Sequence, residues 1–159
     1  MSRNWRWFFL GYLWCLPLVL LFLPVVAFVY RSHEWRWHDG VLTCIGGSND
    51  DGSTRIWGRP GAQTWGWLTV FASERERQRA DLRIHERCHT VQAFVLGVLW
   101  IVIYGIMFIV PYIANPSAGW KAAYEKVAFE VWAYARQAAS RTDHPQPSWR
   151  WGALPLVVT

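Results

Sequence analysis

Cysteine is scarce in this chain. It has three, Cys15, Cys44 and Cys88, in 159 residues, too few for the multi-bridge framework that holds small secreted domains together. Cys15 lies inside an apolar run and Cys88 inside a His-Glu motif, which leaves Cys44 as the one thiol in an ordinary loop or strand setting. There is no internal repeat, which excludes a solenoid, and no glycine-rich phosphate motif, so nothing points to a nucleotide or dinucleotide ligand. Charge is absent from residues 7–30 and again from Thr90 to Trp120. The chain carries 16 Lys and Arg against 11 Asp and Glu, but these basic residues sit beside apolar runs and do not gather in one polar domain. That argues against a nucleic-acid partner. With 53% apolar residues, 13 Trp and a net charge of +5, the composition suits a membrane protein with basic, aromatic interfaces, in which lipid is a partner.

The first uncharged stretch, "WFFLGYLWCLPLVLLFLPVVAFVY", has 24 residues. At about 1.5 Å per residue it is long enough to cross a hydrocarbon core of about 30 Å. A cleaved signal peptide is the rival reading, since Arg3 and Arg6 resemble its basic start. The run is longer than the usual apolar core of about 7 to 15 residues, however, and "VVAFVY" has no small-x-small cleavage site. Residues 1–31 are therefore read as a transmembrane anchor, 32–140 as one further domain and 141–159 as a loosely held tail. Arg3 and Arg6 favour a cytoplasmic N-terminus, a bias weakened by "RSHEWR" and "RERQR" beyond the anchor, so the side of the domain stays open.

After the anchor, "GGSNDDGS" and "GRPG" punctuate short β-branched and aromatic runs, the pattern of hairpins. Strands are expected near 41–45, 54–57 and 65–71, in a small antiparallel sheet. Ser73 followed by Glu76 matches a capping box, so a helix should begin there and run through "ERERQRADLRIHERCHTVQ". Residues 120–140 read as an Ala-rich helix with apolar positions at helical spacing. The expected fold class is α+β: an N-terminal transmembrane helix, a small sheet, then a helical unit from Ser73 to about Ser140.

The chemistry concentrates in "RIHERCHTVQ", residues 83–92. Positions four apart share a helix face, so His85 and His89 can offer two imidazole nitrogens to one ion. Glu86 lies about 100° around the helix, in reach of water beside that ion without being a ligand. This is the parts list of zinc hydrolysis, with Glu86 as general base. Five His and six Glu in a chain of this length give about 0.006 such motifs by chance. The alternative is a pair of helix-surface histidines beside an acid. A catalytic zinc needs a third protein ligand, and the downstream candidates are Glu125, Glu130, Asp143 and His144.

The strings "HERCHTVQ" and "YEKVAFEVWAYA" resemble small bacterial zincin-like proteins of the gluzincin type. Those carry His-Glu-x-x-His-x-x-Gln and a later Tyr-x-x-Asn-Pro-Phe-Glu-x-x-Ala-Tyr-like helix whose Glu is the third ligand. Tyr124, Phe129, Glu130, Ala133 and Tyr134 fall in register with that helix, and Gln92 matches the Gln of the motif. "QTWGWLTVF" looks like the Thr-x-Gly strand that precedes the motif helix. The likeness spans roughly residues 40–136, and Val127 and Ala128 stand where the pattern has Asn-Pro. It implies a zincin-like domain, a Zn²⁺ held by His85, His89 and Glu130, and metallopeptidase activity in a bacterial inner membrane. The residues themselves also favour Glu130 over Glu125, because a carboxylate between Phe129 and Val131 needs a partner or a cation, whereas Glu125 lies near Lys121 and Lys126.

Topology sets a condition on that site. If residues 93–113 crossed the membrane as a plain helix, Glu130 would lie on the far side from His85 and His89. The expectation is instead a helix broken near Gly97 that doubles back, giving a helical unit partly sunk in the membrane. Three functional classes compete: a membrane-anchored zinc peptidase or related hydrolase, a non-catalytic zinc-stabilised binding domain, and a metal-free structural membrane protein with two spans. The substrate cannot be read from the residues alone.

Overall fold

The computed structural model describes residues 5–29, 34–38, 40–45 and 61–140. Among these the fold is α+β, with six α-helices and a four-stranded mixed sheet. The strand expected at 54–57 and the tail candidates Asp143 and His144 lie outside the described residues.

Helix α1 spans Trp5–Val29 and contains Pro17 and Pro24. Its Phe9–Phe28 window has mean hydropathy 2.3 and is long and apolar enough to cross a membrane. It is not a free tether. Val19 and Val26 share a core with Cys44, Leu68 and Val70 of the sheet, and Cys15 and Leu18 share another with Ala93 and Trp100 of the helical unit. Phe22 stacks on Trp65 with ring centroids 3.8 Å apart. The opposite face of α1, including Leu13, Leu20, Leu21 and Phe28, is exposed.

The sheet order is β1(Glu34–His38), β2(Val41–Ile45), β4(Leu68–Phe71), β3(Ala62–Trp65). β1 pairs antiparallel with β2, and β3 with β4, but the central β2–β4 pair is parallel. The sheet is therefore mixed, not antiparallel as expected, because neighbouring hairpins dock side by side with strands of like direction in contact. The single strand expected at 65–71 is in fact a hairpin. Trp65 faces Leu68 across Gly66-Trp67, and Gly66 takes φ +70°, as the tight turns of hairpins require. β1 was not expected at all.

Ser73 caps α2(Glu74–Gln78), accepting a hydrogen bond from the Glu76 N–H at 3.2 Å. The helix then breaks at Arg79, with ψ 111°, before α3(Ala80–Leu96), where one continuous helix was expected. The break is held by side chains: Arg83 Nη1 donates to the carbonyls of Arg77 and Gln78 left free at the end of α2, and Arg79 bridges Glu76 and Asp81.

At Gly97 (φ +59°, ψ −135°) the chain turns by 115° into α4(Leu99–Ala114). This is the doubling back expected from the topology argument, and α4 does not continue α3. A Cβ at Gly97 would lie 2.1 Å from Trp14 Nε1, so only glycine fits against α1 there. The outward face of α4, Leu99, Val102, Ile106, Ile109, Val110 and Ile113, is at least half exposed. A short 3-10 turn (Pro116–Ala118) leads to α5(Gly119–Tyr124) and α6(Ala128–Ala139). The helix expected over 120–140 is thus two. Fully buried Val127 adopts an extended conformation between them, which puts Glu130 in the first turn of α6.

Candidate metal centre

α3 supplies His85 and His89 from one face, and α6, packed along it, supplies Glu130. One donor atom from each of the three lies within 4.8 Å of the others. The two Nε2 atoms are 3.1 Å apart, and each is 3.3 Å from a Glu130 carboxylate oxygen. All three residues are buried, at 3–5% exposure. The sequence candidates Glu130, His85 and His89 are therefore brought together. Glu125 is not: it is exposed and lies 3.7 Å from Lys121.

Neighbouring side chains fix the orientation of these groups. His89 Nδ1 is 2.9 Å from Gln92 Oε1, so the Nδ1–H tautomer donates there and leaves the Nε2 lone pair facing the cluster. Gln92 in turn donates to the Phe129 carbonyl at 3.1 Å and accepts from Trp100 Nε1 at 3.3 Å, tying α3 to both α6 and α4. Tyr104 donates its hydroxyl to Glu130 Oε1 at 2.7 Å. Among the described residues His85 Nδ1 has no hydrogen-bond partner, while Glu130 Oε2 lies 3.3 Å from His85 Nε2.

Burial works against the Glu130 carboxylate, but hydrogen bonds from His85 and His89 and the His89 charge outweigh it and hold it well below the usual carboxylate range. His89 shows the reciprocal effect. Burial disfavours its charged form, yet Glu130 pulls it above its ordinary value. Such a preference for positive charge at His89, beside a buried carboxylate, is what a bound cation would satisfy. Two nitrogens and one carboxylate form a donor set suited to zinc.

Glu86 points elsewhere. It is 4% exposed and faces the sheet, where Thr64 donates to its Oε2 at 2.8 Å and Thr69 lies 3.0 Å from Thr64. Burial is the largest influence on Glu86 and raises its pKa, against the lowering effect of His89, His85 and Thr64. It is thus held beside the cluster but outside it. The motif could not reveal Thr64, Trp100 and Tyr104, which come from other elements; the Thr-x-Gly resemblance gave the one hint of Thr64. Compared with family models, with curated proteins and with solved structures, the chain matches none.

Proposed function

We propose that this chain is a membrane-embedded, zinc-dependent hydrolase of peptide bonds, of the gluzincin type. The observation that supports it is the convergence of His85, His89 and Glu130 within 4.8 Å, with buried Glu86 held just outside by Thr64. A purely structural site has no need for a buried carboxylate that does not ligate. In this reading the outward faces of α1 and α4 lie in lipid. Both are continuous apolar surfaces, and patches of that kind on a protein surface mark interaction sites.

His85, His89 and Glu130 would hold the ion, with Gln92 and Tyr104 orienting His89 and Glu130. Bound zinc supplies Lewis acidity toward a carbonyl oxygen and acidifies water. Glu86 then takes a proton from the attacking water and passes it to the leaving amine. A group with its pKa raised by burial suits that exchange, being closer to the operating pH than an exposed carboxylate.

The test is a pair of variants in the full chain, purified in detergent. Glu86→Gln should keep zinc and lose hydrolysis of a peptide library, and His85→Ala should lose both. Full activity in Glu86→Gln would rule out the base role. Wild-type protein that binds zinc but cleaves nothing across the library would favour the binding domain instead.

A further inference from the structure

We infer that α1 does not cross the membrane but lies flat in one leaflet, with Trp35 and Trp37 of β1 beside it at the level of the headgroups. This rests on the assignment of the outward apolar faces to lipid, and it is independent of the metal centre.

The sheet occupies one side of α1 along most of its length. Contact runs from Tyr12, whose hydroxyl donates to the Gly40 carbonyl, to Val26, which shares a core with Cys44, Leu68 and Val70. About 21 Å of helix axis lies between those two residues. Next to β2 in that sheet is β1, an edge strand exposed at every position, with a half-exposed Glu34–Arg36 ion pair. Were α1 upright in the bilayer, the strands packed on its middle would sit at hydrocarbon depth, and this edge with them. Open sheet edges do not occur there, because no water meets their free N–H and C=O groups. α4 does not cross either, since its 16 residues rise about 24 Å, short of a core of about 30 Å.

The two sides of the sheet give the orientation. Trp35 and Trp37 stand opposite Cys44 and Leu42, which pack on the α1 side, and the Trp37 ring lies 6.0 Å from that of Tyr12. Side chains alternate along a strand, so Arg36, opposite Thr43, points the other way, toward a small cleft that Arg77 and Arg83 also line. Both Trp are exposed, at 38% and 59%, and Trp favours the membrane–water interface, where its ring is in apolar surroundings and its N–H is wet. With α1 flat, the order along the membrane normal is lipid, α1, sheet, charged side. The helix is apolar all round because one side meets the sheet and the other meets lipid.

Lipid, not a second copy, fits this surface. An open apolar furrow of about 390 Å³, lined by Leu10, Gly11, Leu13, Trp14 and Phe94, runs between α1 and the end of α3. Acyl chains adapt to such a furrow, whereas a protein partner needs a matching contour. The apolar surface also continues through the exposed Val95, Val98 and Leu99 onto α4.

The experiment measures depth along α1. Full-length Leu13→Cys, Leu20→Cys and Phe28→Cys, all at exposed positions, are nitroxide-labelled and reconstituted in vesicles of phosphatidylcholine and phosphatidylglycerol. The native cysteines are buried, so unsubstituted protein gives the background. Depth is read from accessibility to oxygen against a nickel chelate, and circular dichroism checks folding; Leu21→Cys and Val25→Cys replace any variant that does not fold. The labels should lie at one depth to within about 5 Å, near the headgroup–acyl boundary, while a label on the Arg36→Cys protein is reached freely by the chelate. Leu20 at the midplane, with Leu13 and Phe28 each about 10 Å nearer opposite surfaces, overturns the inference and leaves the lipid assignment standing. A steady fall in depth from Leu13 to Phe28 overturns it in favour of a helix inserted end-on. Protein that does not float with the vesicles overturns it together with the lipid assignment, and a stable dimer in that case gives the faces to a second copy. The hydrolase chemistry is tested separately, by the Glu86 and His85 variants.

Discussion

Gln92→Leu isolates the support of the metal centre from its ligands. Gln92 is 6% exposed, and Leu fills nearly the same volume, so the change removes hydrogen bonds without opening a large cavity. Three groups lose a partner: Trp100 Nε1, the Phe129 carbonyl and His89 Nδ1. A stranded buried polar group costs about 1–3 kcal/mol, and the added apolar burial offsets part of it. For Trp100 and Phe129 together the metal-free protein should lose about 2–4 kcal/mol. His89 can avoid its share by moving the proton from Nδ1 to Nε2, where Glu130 accepts it at 3.3 Å. That shift removes the lone pair aimed at the metal, so zinc affinity should fall about 10–100-fold. Competition against a chromophoric chelator measures the affinity, and thermal unfolding in detergent without zinc measures the stability. Gln92→Glu keeps the acceptor for His89 and Trp100, and should bind zinc about as tightly as the wild type. Stability lost with zinc affinity unchanged would refute the reasoning and reduce Gln92 to a link between helices.

Three further outcomes can be checked. Gly97→Ala places a Cβ against Trp14 and forces a left-handed φ on a residue with a side chain, which should cost about 3 kcal/mol in thermal unfolding. Gly105→Ala, in the interior of α4 with nothing within 4 Å of the new carbon, should be stabilising by about 0.5–1 kcal/mol. The third outcome is an inversion of pH dependence by zinc. In metal-free protein the raised pKa of His89, set by Glu130 against burial, contributes stability that is full below 6.5 and is lost as pH rises through the folded value. Glu86, raised by burial, acts in the same direction. Zinc requires both imidazoles deprotonated, so loaded protein should instead gain stability as pH rises from about 6 to about 8. Parallel slopes with and without zinc would place the ion elsewhere.

The local parts of this protein were legible in the chain itself. His85 and His89 share a face because a helix repeats every 3.6 residues, and Glu86 must then point away from them. Ser73 begins a helix because its hydroxyl meets the Glu76 N–H three residues on. Gly97 turns the chain, and Val41–Ile45 forms a strand, for equally local reasons. Even Glu130 could be singled out, as a carboxylate among apolar neighbours that needed a partner.

Tertiary structure decided what depends on residues distant in sequence. The break at Arg79 carries no glycine or proline, and is held by Arg83 reaching back to the end of α2. The parallel pairing of β2 with β4 depends on how two hairpins dock, which no periodicity within either strand encodes. Thr64 meets Glu86 across 22 positions, and Tyr104 meets Glu130 across 26. A spacing rule can place two ligands on one turn of helix. Bringing the third within 3.3 Å of both required α6 to pack along α3, and that packing is set by apolar burial summed over both helices, to which no short motif has access.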